Sequence, residues 1–98
     1  MLHDKRCDDI TSENVNMCVP WFLMACIAYE KLDNPIISDA CFDELSARMS
    51  THWNTIQHFH KHLLMMDDPT LFKGSSVAVK WDQLPTRVWD ATRSLINT

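Results

Sequence analysis

A single glycine, Gly74, stands in the 98 residues of this chain. An all-β sandwich needs a turn residue about every 8–12 positions, so this scarcity argues against that class. It also excludes a glycine-rich phosphate loop. No HExxH or GxSxG pattern occurs, which removes the familiar metalloprotease and serine-hydrolase signatures. The four cysteines, Cys7, Cys18, Cys26 and Cys41, form no CxxC pair. The longest apolar run, Val15 to Tyr29, holds Asn16 and Pro20 and falls short of the roughly 20 residues that span a bilayer. Met1-Leu2-His3-Asp4 runs on into charge, not into the apolar stretch of a signal peptide. The expectation is a cytoplasmic protein with reduced thiols and no membrane contact.

What is present suits one small folded domain. Apolar residues make up 46% of the chain, enough for a core and too many for a disordered segment. The net charge is −4, which argues against direct nucleic-acid binding. The charge is uneven. Residues 1–45 carry 3 basic and 9 acidic side chains, and residues 46–98 carry 6 basic and 4 acidic. The basic residues of the second half (among them Lys61, Lys73, Lys80, Arg87 and Arg93) are scattered and form no run.

Residues 1–12 are polar and without period, and read as a flexible N-terminal tail before a single helical domain over 13–98. Thr11 or Ser12 would cap a helix starting near Glu13. Residues 14–32 read as helical, with Pro20 either opening the helix or kinking it. Trp21 to Leu32 is apolar on nearly every side, as in a helix buried by several neighbours. Asp33-Asn34-Pro35 stops it. Ser38 is the clearest helix start, with Asp39, Asp43 and Glu44 suiting the positive end of the dipole.

From Ser38 the steps of 3 and 4 through Phe42, Leu45, Met49, Trp53, Ile56, Phe59, Leu63 and Met66 predict one long helix to about Met66, with a break near Ser50-Thr51 as the alternative. Glu44 and Arg48 stand at pairing distance on it. Val77-Ala78-Val79 reads as a short extended piece. Asp82 reads as the cap of a last helix, with Leu84, Val88, Trp89, Thr92, Leu95 and Ile96 on one face. The expected fold class is mainly α: three or four helices around an antiparallel helix–turn–helix core, with at most one short extended segment.

One segment carries more than fold. Tyr29-Glu30-Lys31-Leu32-Asp33-Asn34-Pro35-Ile36-Ile37-Ser38-Asp39-Ala40-Cys41-Phe42-Asp43-Glu44-Leu45 resembles the N-terminal helical domain of NAD-dependent DNA ligases. There a tyrosine at a helix end precedes an Asp-x-Pro turn, an Ile-Ser/Pro-Asp-Ala segment and Tyr-Asp-x-Leu. That module grips the nicotinamide mononucleotide (NMN) half of NAD. The resemblance implies that Tyr29 stacks on the nicotinamide ring and that Asp39 and Asp43 bind ribose or nicotinamide polar groups. Phe42 stands where the family has tyrosine and lacks the hydroxyl. Glu30 stands where the family often has histidine, and a carboxylate repels phosphate.

Ligase catalysis needs Lys-x-Asp-Gly on a nucleotidyltransferase domain. Here Lys80-Trp81-Asp82-Gln83 lacks the glycine, and 16 residues follow Asp82. The expectation is therefore a stand-alone module that binds NMN or NAD, or a degenerate relative of it, without catalytic residues or a resident metal. The alternative is an accessory or inhibitor protein, of the kind phages encode, that binds a host protein or a nucleic-acid-processing complex. His52, His58, His60 and His62 raise a metal site, with His58 and His62 sharing a helix face if the long helix holds. No carboxylate or cysteine stands at an obvious completing position, so a surface helix with titratable side chains is the favoured reading. Trp81 and Trp89, beside Lys80, Arg87 and Arg93, are the tryptophans best placed for a partner surface, with core packing the favoured use.

Overall fold

Asp4–Glu13 forms the first helix, α1, so the segment read as a tail is structured. Its buried stripe is Cys7 and Thr11, with Ile10 packed against the core. Two of those three are small, and one is polar, which is why no apolar period was visible. The Thr11 hydroxyl donates to the Cys7 carbonyl at 2.8 Å, so it is buried without loss of a hydrogen bond. Lys5 and Asp9 pair at 2.7 Å one turn apart on the exposed face, where solvent screens the attraction and little stability follows. Thr11 lies inside α1 and does not cap a later helix. Asn14, in extended backbone, ends α1 and accepts from the Asn16 N–H.

The computed structural model describes residues 2–64 and 79–97. A 3₁₀ turn, Val15–Met17, leads into α2, Cys18–Cys26. Pro20 falls in the first turn of α2, where no intrahelical bond from its nitrogen is needed. Cys18, Val19, Trp21, Phe22, Leu23, Ala25 and Cys26 are all buried. This is the central helix expected from its all-round apolar sequence. It packs against both α3 and α4. α3 spans Asp39–Thr51, and α4 spans Thr86–Ile96. The protein is mainly helical, with four α-helices among the described residues.

α3 stops at Thr51, at the alternative break. Beyond it come turns and a 3₁₀ turn at Lys61–Leu63, so the long helix does not form. Trp53, Ile56 and Leu63 are still buried, but Phe59 is 66% exposed, having left the helical register. Lys61 holds this region, donating from Nζ to the carbonyls of Trp53 at 2.6 Å and Ile56 at 2.9 Å. Arg48 does not turn to Glu44. It donates to Thr11 Oγ1 at 2.6 Å and lies 3.9 Å from Asp8, tying α3 to α1.

Leu64 and Val79 make an isolated antiparallel bridge. The rest of the expected extended piece, Val77-Ala78, lies outside the described residues, as do Gly74 and Met66. Asp82 falls inside a 3₁₀ turn, Trp81–Gln83, and makes no cap. Pro85 takes the capping position of α4. Val88, Thr92 and Leu95 form the buried face of α4. Among the described residues, every buried side-chain nitrogen and oxygen has a hydrogen-bond partner.

Candidate functional site

The α2 chain does not end in an ordinary helix stop. Ile27–Lys31 forms one turn of π-helix, followed by Leu32 and the turn to α3. The Leu32 N–H reaches the Ile27 carbonyl at 3.1 Å, and the Asn34 N–H reaches Ala28 at 2.8 Å. Asp33, with φ of 49°, reverses the chain in the left-handed region. Aspartate tolerates this conformation better than most non-glycine residues. Together these form a widened version of the left-handed helix stop. Single π turns recur at functional sites because they trade helix stability for an altered side-chain direction.

Within that π turn, Ile27 and Ala28 are buried. Tyr29 is 60% exposed, and Glu30 is exposed beside it. Ile36 and Ile37 anchor the following turn in the core, and the His3 N–H bonds the Ile36 carbonyl at 2.6 Å. Ser38 then caps α3, its hydroxyl accepting from the Cys41 N–H at 3.2 Å. Asp39 and Asp43 stand one turn apart on α3, both exposed. Among the described residues neither joins an ion pair.

Phe42 behaves differently. It is half-buried and stacks on Phe22, with centroids 5.2 Å apart and 24° between planes. The five residues thus divide: Tyr29, Glu30, Asp39 and Asp43 open to solvent, while Phe42 spends one ring face on α2. Offset stacking of this kind contributes about 0.5–1.5 kcal/mol beyond area burial.

Lys31, which sequence reasoning did not single out, lies over the Trp81 ring at 4.8 Å. Trp81 approaches Trp89 at 6.5 Å, and Arg93 lies over Trp89 at 5.7 Å. Both tryptophans are half-buried and packed against the core. They join the π turn to α4. No sequence period could have linked Lys31 to Trp81, fifty positions on.

His58 and His62 share no helix face, because α3 ends before them. Among the described residues, no three His, Cys, Asp or Glu side chains are placed to hold a metal ion. A shallow depression of about 500 Å³ lies at α1, lined by Leu2, His3, Lys5, Arg6, Asp9 and Ile10 and by none of the five site residues. The four thiols are free and buried. Burial pushes Cys18 and Cys41 up to about 11 and Cys26 to about 12, and Cys7 higher still. Such thiols carry little thiolate at neutral pH and are poor nucleophiles. No described helix is long and apolar enough to cross a membrane.

No protein-family model, curated protein or solved structure matches this chain.

Proposed function

We propose that the chain is a binding module that takes a pyridine nucleotide, NMN or NAD, at the π turn and the start of α3, and carries no ligase chemistry of its own. The supporting observation is Tyr29, a tyrosine 60% exposed in a segment whose preceding residues are buried. Its ring is available for stacking on a flat cationic heterocycle. Asp39 and Asp43 offer acceptors for ribose hydroxyls and for the positive charge of nicotinamide. Phe42 serves as the packed floor behind α3 and supplies no polar contact. Glu30 disfavours the phosphate end, so the nicotinamide–ribose half carries the recognition.

Thermal unfolding with NMN, NAD and AMP tests this. A ligand at 100 times its Kd stabilises by about 2.7 kcal/mol. NMN and NAD should raise Tm, AMP should not, and Tyr29→Ala should abolish the shift while leaving the unliganded Tm within about 2 °C. No shift with any nucleotide removes the reading.

The second reading is an accessory or inhibitor protein of the phage type. Its supporting observation is that three large apolar side chains among the described residues are exposed: Leu2 at 52%, Tyr29 at 60% and Phe59 at 66%. Exposed aromatics are enriched at protein interfaces. Affinity capture from host extract with wild type and a Tyr29→Ala/Phe59→Ala pair separates the readings. Loss of a stoichiometric partner in the variant favours a protein surface.

A further inference from the structure

The segment after α3 folds through an unusual contact. The His60 backbone N–H donates to His58 Nδ1 at 3.1 Å. That nitrogen can accept only while the His58 ring is unprotonated there, because both ring nitrogens of an imidazolium are donors. The His60 ring is 9% exposed. It lies 4.1 Å from the Phe59 ring and 5.3 Å from the His58 ring, and His58 stacks on Phe59 at 4.6 Å.

Among the described residues, the charged groups facing this turn offer no compensation for added positive charge. His62 and Lys61 come from the 3₁₀ turn, and Arg87 comes from α4. Lys61 is already engaged with the Trp53 and Ile56 carbonyls and lies 4.6 Å over the Trp53 ring. Among the described residues, no carboxylate pairs with either histidine.

We propose that residues 56–60 form an acid-opened latch, closed while His58 accepts from the His60 N–H and released when His58 takes a proton. Opening frees Phe59 from both imidazoles and loosens the buried seat of Ile56 and Trp53. Desolvation lowers both histidines from their usual 6.5, and for His60 the nearby His58, Arg87 and His62 add to it. The unfolded or opened turn therefore binds protons first, and the closed form weakens as pH falls below about 6.5.

Amide hydrogen exchange read at His60, corrected for the intrinsic rate, tests the latch in the full chain. Protection should be constant above pH 7 and fall by up to about tenfold per pH unit as pH drops from about 6.5 to the His58 midpoint, the slope for one proton. Buried α2 and α4 amides should keep theirs. His58→Asn keeps an acceptor near the Nδ1 position without a titrating ring, and should hold protection flat down to pH 5. His58→Ala should be unprotected at either pH. The Cε1–H signal of wild-type His58 should titrate below 6.5, and the fall in protection should level off at that midpoint. Unchanged wild-type protection at pH 5, a midpoint unrelated to the His58 signal, or the same acid loss in His58→Asn would overturn the proposal.

Discussion

Asp4 and Ser38 clasp each other across 34 positions of sequence. The Ser38 N–H donates to one Asp4 carboxylate oxygen at 2.8 Å, and the Ser38 hydroxyl donates to the other at 2.6 Å. The same hydroxyl accepts from the Cys41 N–H as the cap of α3. The first residue of α1 thus orients the capping serine of α3, and fixes where the segment bearing Asp39 and Asp43 begins. Charged hydrogen bonds of this kind contribute about 1.5–3 kcal/mol each before exposure weakens them.

Ser38→Ala should therefore cost more than an ordinary cap. About 1 kcal/mol is typical for a lost serine cap, and here the Asp4 bonds go with it. Chemical denaturation of Ser38→Ala, Asp4→Ala and the double variant should show a double-mutant coupling of at least about 0.5 kcal/mol. Additive effects would mean that the two residues act independently.

Acid should act on the same clasp. Burial alone would raise the Asp4 carboxyl, but the Ser38 side-chain and backbone bonds and the Cys41 contact outweigh it and hold the group below 3.8. Unfolded Asp4 takes its proton first, so the unfolded state gains protons as pH falls through 3.8. The stabilisation is complete above that value and fades below it. Asp4→Asn should flatten the stability profile there.

Arg48 should outrank Glu44. Arg48 joins α3 to α1 through Thr11 Oγ1, whereas Glu44 is exposed. Arg48→Ala should lose about 1–2 kcal/mol, the cost of leaving a buried hydroxyl with one partner fewer and of losing the packed stem. Glu44→Ala should change stability by less than about 0.5 kcal/mol. Equal losses would contradict the placement of Arg48.

The cysteines should be silent in the native state. At pH 8, alkylation followed by intact mass should label the folded protein slowly and add four labels rapidly in denaturant. Fast single-site labelling of the folded chain would contradict the burial of Cys7, Cys18, Cys26 and Cys41.

Backbone geometry at the site gives a further check. Asp33→Val forces a β-branched residue into the left-handed region and should cost about 1–2 kcal/mol. Asp33→Gly should be close to neutral, because relief of the strain and the greater freedom of the unfolded chain oppose each other. The proposed nucleotide binding should weaken in the valine variant, since only Leu32 separates the π turn from Asp33.

Much of this fold was legible where large apolar residues keep a period. The apolar α2 run, the Asp33-Asn34-Pro35 stop, the Ser38 cap and the Val88–Thr92–Leu95 face all follow from the chain itself. α1 was not, because a stripe of Cys7, Ile10 and Thr11 is too small and too polar to show as a period. The spacing leaves a long α3 and a break near Ser50-Thr51 both open, because Trp53, Ile56 and Leu63 stay buried without being helical. Their spacing mimics a helix while turns bring them inward, and only Phe59 betrays the change. At the site, Tyr29, Glu30, Asp39, Phe42 and Asp43 could be named from the segment alone. The inward stack of Phe42 on Phe22, the π turn under Tyr29 and the Lys31 contact with Trp81 depend on tertiary packing that no local pattern encodes.

The central claim is that Tyr29 and the start of α3 receive a nicotinamide–ribose group. An NMR titration of ¹⁵N-labelled protein with NMN tests it most directly. The expected result is a saturable shift of the Tyr29, Asp39 and Asp43 amides, absent with AMP and lost in Tyr29→Ala. Spectra that do not change at millimolar NMN, or shifts confined to the α1 depression around Lys5 and Arg6, would contradict it.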